Sequence, residues 1–333
     1  MTPRERYQAV LEGRVPDHLP RLPILMQFAA EYIGSHYDAF ASDYRTLVES
    51  NIRCAEDFGI DQLNTMSDPY RETQGYGAKI IYPRDGVPYC EKHPLEDDPD
   101  LAKLPRPDPL APGGRMLDRI NAIREYKRRT GDHYSIMGWV EGPAAEAGDL
   151  RTVSNFFMDL LDDEDYANAL MARCVENAIA FARPQIEAGA DTIGIGDAVA
   201  SQVSAATYKN HIHPHEKKLV DALHAMGARV RMHICGNITH ILPGLATLGL
   251  DVIDIDHMVD LAAARRTLGP QTTLAGNINP VARVMNGTPA TIKADIARCY
   301  AAAGAPYMVN AGCEIPPATP RANLKALCEP LNP

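Results

Sequence analysis

The chain reads as an α/β protein: a (β/α)8 TIM barrel in one domain over 1–333, with an inserted β-hairpin and an N-terminal helical extension. Three observations predict this. From about residue 135 onward, short apolar stretches alternate with longer helical patterns, an order that demands parallel strands joined by right-handed crossovers. Polar residues that carry chemistry end many of those strands, and a closed barrel gathers such ends on one mouth. No glycine-rich phosphate fingerprint stands near the start, where an open dinucleotide-binding sheet would carry it.

The elements follow in order. Pro3 to Glu12 is a short amphipathic helix stopped at Gly13, and the proline-rich Pro16–Pro23 leads into a first strand near Leu22–Phe28. A helix over Asp43–Phe58 ends at Gly59, and a second strand within Ile60–Ser67 ends at Asp68. Ile80-Ile81-Tyr82 and Val87-Pro88-Tyr89 flank Arg84-Asp85-Gly86, a hairpin pattern, and the acidic, proline-rich 97–114 is a surface connection. Six further strands are expected at Ser135–Val140, Thr192–Ile195, Val230–Ile234, Val252–Ile255, Thr273–Ala275 and Tyr307–Val309. Helices are expected over Tyr166–Ala188, Tyr208–Met226 and Thr291–Ala303.

Composition narrows the function. With 333 residues, 45% hydrophobic and 23% charged, the chain has the make-up of a globular enzyme with one large core. A net charge of −10 argues against nucleic acid and acidic membrane surfaces as partners. The N-terminus Met1-Thr2-Pro3-Arg4-Glu5-Arg6 lacks an apolar signal core, and no run of apolar residues is long enough to span a bilayer. A cytoplasmic location is expected. Seven cysteines without a spacing framework fit reduced thiols. Cys54, Cys174, Cys299 and Cys328 fall in helical patterns and Cys90 on the hairpin, where packing accounts for them.

The remaining two cysteines stand apart. In Arg231-Met232-His233-Ile234-Cys235-Gly236-Asn237 a strand-like run stops, and alternate side chains of an extended chain face one way. His233 and Cys235 therefore point off one face, about 7 Å apart along the backbone. A third donor follows at Asn310-Ala311-Gly312-Cys313-Glu314, again where an apolar run ends. A soft His/Cys/Cys set at a barrel's mouth favours Zn²⁺ with one position open for a substrate. Gly236 and Gly312 beside the thiols let the backbone turn tightly. Taken alone, His-x-Cys is more often a core histidine beside a small hydrophobic thiol than a metal grip. Other strand ends offer Asp68, Glu141, Asp197, His257 and Asn277, and an acid or asparagine there equally serves as a helix N-cap. His211, His213 and His215 form a tract that Pro214 and a helix surface break up.

Four segments in this order resemble the uroporphyrinogen decarboxylase superfamily: Met232-His233-Ile234-Cys235-Gly236-Asn237, Asp254-Ile255-Asp256-His257-Met258-Val259-Asp260, Leu274-Ala275-Gly276-Asn277-Ile278-Asn279-Pro280 and Gly312-Cys313-Glu314-Ile315-Pro316-Pro317. More narrowly, the chain resembles the cobalamin (corrinoid)-dependent zinc methyltransferase branch. Asp68 matches the catalytic acid position of the decarboxylases. The arginine-rich loop of that branch, however, is replaced by Gln27-Phe28-Ala29-Ala30-Glu31-Tyr32-Ile33-Gly34, and its late histidine by Gly312-Cys313. The resemblance implies Zn²⁺ on His233, Cys235 and Cys313. Glu141, by its place at the end of the third strand, is the expected fourth, displaceable ligand, though an acid there equally serves as a salt bridge across the mouth. It implies methyl transfer between a small methylated compound of methoxy or methylamine type and a corrinoid. No Asp-x-His-x-x-Gly motif is present, so the corrinoid is expected on a separate protein. A thiol or folate acceptor is the alternative, and a metal-free lyase the second. Asp197 and His257 are expected to line the substrate pocket with Asp68 and Asn277, and a homodimer is left open.

Overall fold

The computed structural model describes all residues, Met1–Pro333. Seven strands form one parallel sheet: β1 (Gln62–Asn64), β4 (Ser135–Glu141), β5 (Thr192–Gly196), β6 (Arg229–His233), β7 (Val252–Ile255), β8 (Thr273–Gly276) and β9 (Tyr307–Met308), adjacent in that order. β2 (Lys79–Ile81) and β3 (Tyr89–Lys92) pair antiparallel outside it, as the inserted hairpin. Its second strand begins after Pro88 and not at Val87, since a proline offers the ladder no N–H.

The first expected strand is a correction. Residues 22–25 run extended, but Gln27–Tyr32 is a helix, and only a bridge from Arg21 to Val309 is ladder-like. Pro20 and Pro23 explain this, because neither donates a hydrogen bond. The segment still closes the barrel. Leu22 donates to Val309 O at 2.8 Å and Val309 to Pro20 O at 2.7 Å, while Asp61, next to β1, donates to Arg21 O at 3.0 Å. The parallel sheet is thus a barrel of seven strands and one irregular stave.

Helices wrap the outside. Pro3–Leu11 carries a Thr2/Glu5 capping box, Tyr44–Phe58 is capped by Asp43 and ends at a left-handed Gly59, and Glu164–Glu187 packs against β4 and β5. One cluster of 81 buried residues packs strand exteriors against these helices. The inside is different. Ile24, Met66, Met137 and Trp139 form a separate small cluster with Met26 against it. Trp139 fits because β5 presents glycines inward: a Cβ on Gly194 would lie 2.3 Å from the indole and one on Gly196 2.6 Å. β5 runs one residue past the expected Thr192–Ile195, to Gly196, and yields its interior to a tryptophan. No helix is long and apolar enough to cross a membrane.

Candidate metal centre

β6 ends at His233 and the chain turns off the sheet at Cys235-Gly236, where Gly236 has φ 91°. β9 runs out two residues before Asn310, and Cys313 arrives beside the same mouth. His233 Nε2 lies 3.1 Å from Cys235 Sγ and 3.8 Å from Cys313 Sγ, and the two sulfurs are 3.6 Å apart. Ligand atoms around tetrahedral Zn²⁺, at about 2.3 Å for sulfur and about 2.0 Å for nitrogen, stand roughly 3.5–3.8 Å from one another. The donor chemistry and spacing fit that ion. Gly312 is needed for a reason other than conformation: a Cβ there would meet the His257 amide nitrogen at 2.5 Å.

The three donors perturb one another's protons. Burial alone would lower the His233 imidazole, but the Cys235 sulfur and Asp254 outweigh it and hold the ring well above its usual range. A hydrogen bond from Cys235 draws Cys313 down to about 4 despite burial, and the same bond raises Cys235. One thiolate and one thiol share a proton that a metal ion would displace.

Asp254 and Asp256, not singled out as site residues in sequence, build the support. Asp254 Oδ2 lies 3.5 Å from His233 Nδ1, which has no other partner, and its carboxylate takes two hydrogen bonds from Arg231 at 2.8 and 2.9 Å. Such a carboxylate fixes ring orientation so that Nε2 faces the metal. Asp256 accepts the Gly236 amide at 3.0 Å and so holds the turn after Cys235. The available signal was an acid between Ile253 and Ile255 in an otherwise apolar strand.

The other expected residues fall elsewhere. Glu141 is not among the donors that converge. Burial pushes it up to about 8, its Oε1 is bonded by Arg71 and by the Trp139 indole at 2.9 Å, and Arg71 arrives from the helix after β1. Asp197 is fully buried and accepts from Ala144 and Ala145 at 3.3 and 2.7 Å, so it caps the helix Pro143–Arg151. Asp68 is clamped by two Arg115 bonds of 2.9 and 2.6 Å and held below the usual carboxylate range, with burial opposing and Arg115 prevailing. Asn277 donates to Val259 O at 2.8 Å and Asp256 O at 3.3 Å, fastening the loops after β7 and β8. His257 alone keeps an exposed ring, 36% accessible, with Nδ1 2.8 Å from Asp256. His211 and His215 both bond Asn168 while His213 bonds Thr247, so the tract does not converge. The five packing cysteines are free thiols, four buried and Cys90 half-buried. A cavity of about 440 Å³ near Val10, Leu19, Pro306 and Tyr307 opens at the strands' starting ends, away from this chemistry.

Residues 2–332 match the family described as Uroporphyrinogen decarboxylase (URO-D). The chain belongs to that family. The methylcobamide:CoM methyltransferase MtbA of Methanosarcina mazei is 28% identical over 98% of the chain and 97% of its own length. MtaA of Methanosarcina barkeri is 26% identical over 98% and 96%. A uroporphyrinogen decarboxylase of Chlorobaculum tepidum is 28% identical over 93% of each. A solved methyltransferase from Methanosarcina mazei superposes with a TM-score of 0.90 at 24% identity, covering 98% of this chain and 97% of that one, and shares the fold. Within the family the chain is an enzyme of the methyltransferase branch.

Proposed function

We propose that the chain is a zinc-dependent methyltransferase that takes a methyl group from a methylated corrinoid, carried by a separate protein, and passes it to a small thiol. The convergence of His233, Cys235 and Cys313 carries this reading. The names of the methylcobamide:CoM relatives support the thiol direction over the demethylation of a methoxy or methylamine donor expected from sequence, which stays as the second reading. Bound by these residues, Zn²⁺ supplies Lewis acidity that keeps a thiol ionised near neutral pH.

The chain's own groups do the rest. Asp254 orients His233, and Asp256 and Gly312 set the two sulfur-bearing turns. His233, Cys235 and Cys313 would hold the ion with three donors, one fewer than a closed structural zinc site uses. The S–C bond forms as the Co–C bond breaks with its electron pair left on cobalt, and the thiol proton departs through solvent or the exposed His257 ring. The metal-free lyase is disfavoured, because Arg115 keeps Asp68 ionised and without a proton to give.

Zinc-loaded protein mixed with methylcobalamin and a thiol is expected to convert methyl-Co(III) to Co(I), read by cobalt absorbance. Cys235→Ser abolishes this, and His257→Ala keeps its zinc but slows it about tenfold. Methylation of Co(I) by methoxy or methylamine donors, with no thiol-dependent reaction, would install the second reading.

A further inference from the structure

A buried set of side chains lies beneath the metal donors and ties their strands together. Arg231 precedes His233 by two residues on β6, so both point into the barrel, and Asp254 on β7 pairs in register with His233. Both oxygens of the Asp254 carboxylate are taken. Oδ1 accepts Arg231 Nη2 at 2.8 Å and Asn310 Nδ2 at 3.1 Å, while Oδ2 accepts Arg231 Nε at 2.9 Å and faces His233 Nδ1 at 3.5 Å. Arg231 is anchored in turn by Gln62 of β1, whose Oε1 accepts its Nη1 at 2.8 Å. Asn310 is the unexpected member. It is fully buried, it spends its amide nitrogen on Asp254, and its Oδ1 has no partner. A buried amide oxygen left unmatched is unfavourable, and leucine would fill the same space without it. The nitrogen therefore has a use that a leucine would not supply. Asn310 stands three residues before Cys313, so its bond joins the segment bearing one sulfur to the carboxylate that faces the imidazole.

We infer that Asn310 and Arg231 are positioning residues for the zinc, which lock the Asp254 carboxylate so that the His233 ring keeps Nε2 toward Cys235 and Cys313. This rests on the zinc reading above and adds which groups outside the donor set govern how tightly the ion is held. An imidazole ligand is free to swing unless its second nitrogen is held, and a carboxylate holds it only when its own plane is fixed. The two-pronged guanidinium sets that plane. Asn310 closes the remaining side of Oδ1, leaving Oδ2 for His233.

Zinc affinity of the full chain, measured by competition with a chromophoric chelator, tests this. Asn310→Leu removes the donor together with the unmatched oxygen, so the metal-free protein should unfold in urea close to wild type. Its zinc affinity should nevertheless fall at least about tenfold, as for other groups that orient a metal ligand. Arg231→Lys keeps the charge but loses the planar fork, and should weaken zinc likewise. Loaded with Co²⁺, both variants should show ligand-field bands shifted from those of the wild type, a change of geometry at the ion that a smaller folded fraction would not produce. Wild-type affinity and bands in Asn310→Leu overturn the inference and leave the zinc reading intact. Lower stability with unshifted bands makes Asn310 a structural residue and overturns it too. A wild type that binds no zinc removes the metal reading, and the positioning role with it.

Discussion

Asp254 shows what one residue contributes at this site and why a sequence hides it. His233, Cys235 and Cys313 were legible because strand alternation and flanking glycines are local signals. The partners were not. Arg71 comes from a helix 70 residues before Glu141 and takes its carboxylate, and the amides of Ala144 and Ala145 take Asp197. A strand-end position says where a side chain starts and leaves open which long-range group claims it. Metal analysis discriminates at this scale: the proposed site predicts about one zinc per chain, lost in Cys235→Ser and Cys313→Ser and retained in Glu141→Gln. Zinc loss from Glu141→Gln would return that carboxylate to the ligand shell.

At the scale of elements, β5 is the informative strand. Its inward positions are glycines, and the chain's one tryptophan occupies the space they leave, fixed by the indole bond to Glu141 and buried to 4%. Glycine inside a strand ordinarily weakens it and marks a bulge or a close approach, and sequence alone does not say which. Only the register that sets Trp139 opposite Gly194 reveals the close approach. Gly194→Ala should therefore destabilise by about 1–3 kcal/mol through overpacking, measured by urea unfolding with Trp139 fluorescence as the reporter. Combined with Trp139→Leu and followed by circular dichroism, the alanine should cost much less, since contacting residues couple. Equal costs in both backgrounds would mean the strain lies in the backbone of β5.

For the whole molecule, the barrel was predicted from alternation, but its closure depends on a stave that is barely a strand. Pro20 and Pro23 strip that stave of donors, and a buried charge cluster compensates. Asp61, with 1% of its side chain accessible, accepts the Arg21 amide at 2.8 Å and Arg21 Nε at 2.9 Å, and also pairs with Arg6 from the N-terminal helix. Arg6 keeps a second partner in Asp17 at 2.6 Å, so loss of Asp61 strands Arg21 above all. An unpaired buried charge costs about 3–5 kcal/mol, whereas exchanging a pair for apolar groups of similar volume is often neutral. Asp61→Asn should thus lower unfolding free energy by about that amount, and Arg21→Met with Asp61→Leu should recover most of it. The loss should appear first where the stave meets its neighbours. The same segment holds Ile315 through a 2.9 Å bond to Ile24 O, two residues past Cys313. In Asp61→Asn, hydrogen exchange at Leu22, Val309 and Ile315 should quicken before that of β4 and β5. If all strands instead exchange together, the stave and the barrel open as one unit, and closure is not the weak step.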